Sequence, residues 1–134
     1  MTQVALITGG QRGIGLGIAH ALRAAGFRLA LTAEVAEDDP TVRAAVDALG
    51  GDTIYVQHDL RERDKVGALL DQVEAACGPI TTLISNAGIP AQSRGDMLDI
   101  TPENFDLVMN VNLRGAFFLA QATVERMLRH DTNA

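Results

Sequence analysis

Four glycines crowd into one short run, Thr8-Gly9-Gly10-Gln11-Arg12-Gly13-Ile14-Gly15, between an apolar stretch and a helical pattern. Glycine lets the backbone turn tightly and approach a ligand with no Cβ in the way. A helix N-terminus behind such a turn offers unpaired N–H groups and the positive end of its dipole. That is chemistry for a diphosphate. A nucleoside-triphosphate P-loop is excluded, because Leu16-Gly17 stands where Lys-Ser/Thr is required. A methyltransferase-type site wants an acid at the end of the first strand and meets Thr8 instead. Glu34 follows about 20 residues past the turn, where an acid can hydrogen-bond the ribose diol of NAD. Glu37, Asp38 and Asp39 add charge that repels a 2′-phosphate, whereas Arg12 would attract one. Glu34 also reads as a solvated loop charge. Asp59 can accept from an adenine amino group, or cap the helix that starts near Glu62. His58 beside it reads as a passive strand-end residue, and no second His or Cys at ligand spacing points to a metal.

The elements that must position these groups alternate. Strands are expected at 4–8, 28–32, 53–57 and 80–85. Helices are expected at 13–25, with Ile14, Ile18, Ala21, Leu22 and Ala25 on the buried stripe, at 40–49 and at 62–77. A last helix is expected from an N-cap at Thr101 to about His130. Four strands separated by helices pair in parallel through right-handed crossovers, which makes an α/β, doubly wound sheet. The long irregular stretch 86–100 is a surface insertion or a ligand loop at a strand's carboxyl end.

Length and composition narrow the function. The 134 residues make one domain of usual size, and 47% hydrophobic residues exclude a disordered chain. A net charge of −6 with 4% aromatics and no Trp argues against nucleic acid. Cys77 stands alone, which fits a reducing compartment, and the run Val4–Ile7 is too short for a signal peptide or membrane span. A cytoplasmic protein is expected.

The spacing Thr-Gly-x-x-x-Gly-x-Gly at 8–15 resembles the short-chain dehydrogenase/reductase family. So do Asp59-Leu60 after the third strand, Asn86-Ala87-Gly88 after the fourth and Val111-Asn112 within the last helix. Within that family, Gly9-Gly10-x-Arg12-Gly13-Ile14-Gly15 and Val111-Asn112-Leu113-Arg114-Gly115-x-Phe117-Phe118 are most similar to bacterial 3-oxoacyl-[acyl-carrier-protein] reductases. The resemblance implies a Rossmann-type sheet in order 3-2-1-4. It implies cofactor contacts from Gly9, Gln11, Arg12, Gly13, Ile14, Gly15, Glu34, Asp59, Leu60, Asn86, Ala87, Gly88 and Val111, and a catalytic Asn112 that helps hold a water. A mid-helix Asn is poor by propensity, and a satisfied core amide is its other reading. The cofactor implied is NAD or NADP, with Glu34 leaning to NAD although Ala33 stands where NAD-preferring members usually place the acid. The implied reaction is hydride transfer to or from a carbonyl or alcohol, of which a 3-oxoacyl thioester is one candidate.

The family's Ser and its Tyr-x-x-x-Lys are not here. The single Tyr and Lys, Tyr55 and Lys65, lie ten residues apart, and the only serines are Ser85 and Ser93. Residues 1–134 therefore read as one dinucleotide-binding domain that stops before the catalytic segment, inactive alone and with its fourth strand as an open edge. A non-catalytic dinucleotide-binding or assembly module is the alternative. The last helix carries more apolar residues than one stripe can bury, which points to a homo-oligomer through 101–130 or a helix central to its own domain.

Overall fold

Val-Ala-Leu-Ile-Thr has no charge and no breaker, and in the computed structural model, which describes residues 2–130, it forms β1 (Val4–Thr8), buried along its whole length. A strand covered on both faces belongs in the middle of a parallel sheet. It pairs with β2 (Arg28–Ala33) in the register Val4↔Arg28 to Thr8↔Thr32 and with β4 (Thr82–Ile84) from Ala5↔Thr82. β3 (Ile54–Gln57) adds to β2, so the order is β3-β2-β1-β4, all parallel. The expected doubly wound Rossmann-type sheet is what the chain forms.

Alternation along the strands sorts the core into two layers. Val4, Leu6, Ala30 and Val56 meet α3 (Val66–Cys77) and, through Leu119, α5 (Ala116–Arg129). Ala5, Ile7, Leu29 and Leu31 meet α1 (Gly13–Ala24) and α2 (Pro40–Leu49) on the other side. The expected α1 stripe is rotated by one residue. Gly15 and Ala19 are buried, with Leu16 and Leu22 beside them, while Ile14 is 79% exposed. Two small residues, Gly15 and Ala19, face the sheet because that lets α1 sit close against the end of β1.

Side chains set the element ends. β4 is shorter than expected because the Thr81 hydroxyl, not a ladder carbonyl, accepts the Val4 N–H at 3.0 Å. Thr53 falls outside β3, its hydroxyl donating to Gly50 O at 2.9 Å. A 3₁₀ turn at Arg63–Lys65 leads into α3. Thr101 caps α4 (Pro102–Met109) as expected, accepting from Asn104 N at 3.2 Å. The last helix is not uniform, because a π-helical turn, Asn110–Gly115, separates α4 from α5. Its outer face leaves Phe105, Leu113, Phe117, Val124 and Leu128 more than half exposed. Among the described residues no helix is long and apolar enough to cross a membrane.

Candidate functional site

The carboxyl ends of all four strands open into one cavity of about 450 Å³. In a parallel sheet this is the end where loops can converge without disturbing the ladder. Its lining brings together Gly9, Gln11, Arg12, Gly13, Ile14, Glu34, Asp59, Leu60, Asn86, Ala87, Gly88 and Val111 from five separate segments. Gly15 and Asn112 are not in the lining. Gly15 lies beneath it as the contact that seats α1.

The glycine turn is built for close approach. Gly9 has φ +66°, a conformation costly for side-chain-bearing residues, and its N–H donates to Thr32 O at 2.8 Å. At the start of α1, Arg12 provides no side-chain cap and the first turn holds no acid. The helix dipole therefore faces the cavity uncompensated, which favours an anion.

Opposite this turn, Asn86 is held by a residue whose part the sequence left unassigned. The Thr8 hydroxyl accepts from Asn86 N and Ala87 N, both at 3.0 Å, and donates to Ile84 O at 3.4 Å. Asn86 Nδ2 reaches back to Thr8 O and Gly9 O at 3.1 and 3.3 Å. The Asn86 side chain thus locks the β4 loop to the glycine turn. A hydroxyl at the end of an otherwise aliphatic strand was the available signal.

Asp59 is engaged, but not as a cap for α3. Arg61 grips both its carboxylate oxygens, with Nη2 at 2.7 Å, and the Arg61 N–H donates to Oδ1 at 2.9 Å. That guanidinium holds the Asp59 carboxyl below its usual range. Asn112 makes a closed pair with one residue: Oδ1 accepts from Ile89 N and Nδ2 donates to Ile89 O, each at 2.8 Å. Its amide braces the loop after Gly88. Tyr55 and Lys65 lie outside the lining: the phenol bonds Val35 O at 2.6 Å, and the ammonium pairs with Glu62.

Three buried polar atoms in the cavity wall, Gln11 Oε1, Thr32 Oγ1 and His58 Nε2, have no hydrogen-bond partner among the described residues. Buried polar groups are rarely left so, and a wall that carries three fits a polar occupant. His58 is thus part of the wall. Burial pushes its pKa below 6.5, against the pull of the Asp59 and Glu62 carboxylates. The unfolded chain then takes up the proton first as the pH falls. Stability is expected to be full above pH 6.5 and to decline below it. His58→Gln should flatten that limb of a denaturant-midpoint series, and an unchanged slope would show that His58 does not carry it.

Comparison with known proteins gives one picture. A family model described as short chain dehydrogenase matches residues 3–133. A versicolorin reductase from Emericella nidulans is 40% identical over 89% of this chain and 45% of its own length. An NADP-dependent (R)-specific alcohol dehydrogenase from Lentilactobacillus kefiri is 37% identical over 93% of this chain and 48% of its own. Among solved structures, a 3-oxoacyl-[acyl-carrier protein] reductase from Brucella melitensis in complex with NAD superposes with a TM-score of 0.86 at 46% identity, over 96% of this chain and 50% of that one. The chain spans about half the length of the relatives it matches.

Proposed function

This chain belongs to the short chain dehydrogenase family, and from that membership we propose that residues 1–134 form a nicotinamide-dinucleotide-binding domain of an oxidoreductase. The observation that carries the reading is the cavity at the strand ends, with an uncapped helix N-terminus on one side and orphaned polar atoms in its wall. Bound there, the dinucleotide would supply the hydride for a carbonyl or accept one from an alcohol. The protein's part is to bind and orient. Amides at Gly13, Ile14 and Gly15 would meet the diphosphate, with Gly9 giving room and Gln11 and Arg12 flanking. Asp59 and Leu60 would border the adenine, and Asn86-Ala87-Gly88 with Val111 would form the far wall. Asn112 would act by bracing that wall through Ile89 and, as the family implies, by helping to hold a water.

For the cofactor we favour NAD. Glu34 stands exposed in the lining, where its charge accepts from a ribose hydroxyl and opposes a 2′-phosphate; Arg12 pulls the other way. The named relatives and neighbours include both an NAD complex and an NADP-dependent enzyme. A carbonyl or alcohol substrate, a 3-oxoacyl thioester among the candidates, is proposed on the resemblance alone. Within these residues Tyr55 and Lys65 are the only Tyr and Lys, and both are committed elsewhere. That favours binding without turnover for this stretch of chain. The exposed apolar face of α4 and α5 is the surface through which we propose the chain pairs with a second copy. Calorimetric titration with NAD and NADP tests the binding, and sedimentation of the same sample tests the pairing. Micromolar binding and a mass above 14.2 kDa are expected. No heat with either dinucleotide would overturn the reading.

A further inference from the structure

Three consecutive carbonyls at the cavity mouth are held from the side by β3. The Tyr55 hydroxyl lies 2.6 Å from Val35 O and 3.0 Å from Ala33 O. Gln57 Nε2 donates to Glu34 O at 2.9 Å, and His58 N donates to Ala33 O at 2.8 Å. β2 ends at Ala33 and α2 starts at Pro40, so the segment between them has no strand ladder of its own. These bonds supply its geometry instead. They fix the backbone of Glu34 while its side chain stays exposed in the cavity lining. The phenol suits the task, since burial and the Glu34 and Asp39 carboxylates push its pKa up to about 12 and keep it a donor.

We propose that Tyr55 and Gln57 are positioning residues for the choice of dinucleotide. They set residues 33–35 so that the Glu34 carboxylate meets the ribose hydroxyl that is free in NAD and phosphorylated in NADP. The inference rests on the dinucleotide reading above and deepens it. A carboxylate discriminates only if it is held; on a loose loop it would swing away from a 2′-phosphate and lose its bond to the diol together. Orienting a single acceptor is worth about a factor of three to ten, the span of one hydrogen bond to a charged group held well or badly.

The test is a cycle of variants titrated with both dinucleotides: Glu34→Gln, Tyr55→Phe with Gln57→Leu, and all three together. Glu34→Gln is expected to move the ratio of the NAD and NADP Kd values about tenfold toward NADP. The β3 pair is expected to move it about threefold in the same direction. In the pair's background Glu34→Gln should then add little, because the carboxylate it removes is no longer in place. A merely structural role for Tyr55 and Gln57 would weaken both dinucleotides alike and leave the ratio fixed. Gln57 is exposed, so Gln57→Leu alone carries the test if loss of the phenol hydroxyl harms folding. If Glu34→Gln moves the ratio and the β3 variants do not, this inference falls while the dinucleotide reading stands. If Glu34→Gln moves nothing, there is no discrimination to position and the inference falls as well. If the unaltered protein binds neither dinucleotide, both fail together.

Discussion

Gly15→Ala is expected to weaken the proposed dinucleotide binding by about 100-fold or more, because two charge-assisted hydrogen bonds to the diphosphate, worth about 1.5 kcal/mol each, would be lost. The cause is steric. A Cβ at Gly15 would run into the Gly9 carbonyl oxygen and stand 2.6 Å from Asn86 Nδ2. That amide is already bonded to Thr8 O and Gly9 O, so the glycine turn, α1 and the β4 loop meet at one point. No flexible side chain can yield there. Relief has to come from α1 moving off the turn, and its first amides move with it. Overpacking a fitted contact also destabilises, by about 1–3 kcal/mol. Gly17→Ala on the same helix is the control, since nothing lies within 4 Å of the Cβ it would add. That change should leave binding alone and raise stability by up to about 1 kcal/mol, because Ala is the better helix former. Calorimetric titration of both variants decides the matter; a Gly15→Ala protein that binds within threefold of the unaltered one would show that the seat of α1 is not what aims the amides.

What could be read from the chain, and what could not, divides along a physical line. The elements and their parallel pairing follow from local patterns: Val4–Thr8 reads as a buried strand, and Val66, Leu69, Leu70 and Val73 as one face of a helix. The order β3-β2-β1-β4 came from the family resemblance instead, and the split into two core layers from the structure. Four of the five segments that line the cavity were legible too, since each follows on a strand that the pattern already placed, whereas Val111 was singled out by the family resemblance alone. Rotation of a helix was not. The hydrophobic stripe favours Ile14, but close approach to β1 favours Gly15 and Ala19, and packing distance is a property of two elements. The same holds for Asp59. Its sequence neighbourhood allows a cap or a ligand contact, and the grip of Arg61 appears only once the turn is built. Asn112 signalled an irregularity by being a poor mid-helix residue. Sequence could not say that the result is a π-helical turn, nor that the amide pairs with both backbone groups of Ile89. Such turns often mark functional positions in helices, and this one carries Val111 into the cavity lining while Gly115 lies against the Leu60 backbone.

Thr8→Val tests the other half of the frame, and its expected cost is about 2–5 kcal/mol of stability. Shape is preserved, so the cost is chemical. Thr8 is 2% exposed, and its hydroxyl is what satisfies Asn86 N and Ala87 N, two donors that no strand ladder reaches. A valine methyl leaves both half-buried N–H groups without their acceptor, at roughly 1–3 kcal/mol each before water from the cavity or relaxation compensates. Thr8→Ser keeps the oxygen and loses only a methyl, which should cost about 1 kcal/mol. The two variants therefore separate hydrogen bonding from packing. Urea midpoints should fall well below the unaltered value for Val and only slightly for Ser, with unchanged slopes. Native-state hydrogen exchange gives a local readout: the Asn86 and Ala87 amides should lose protection in Thr8→Val and keep it in Thr8→Ser. Equal protection in the two variants would mean that the β4 loop is held by the Asn86 side chain alone, and that the strand-end hydroxyl is incidental.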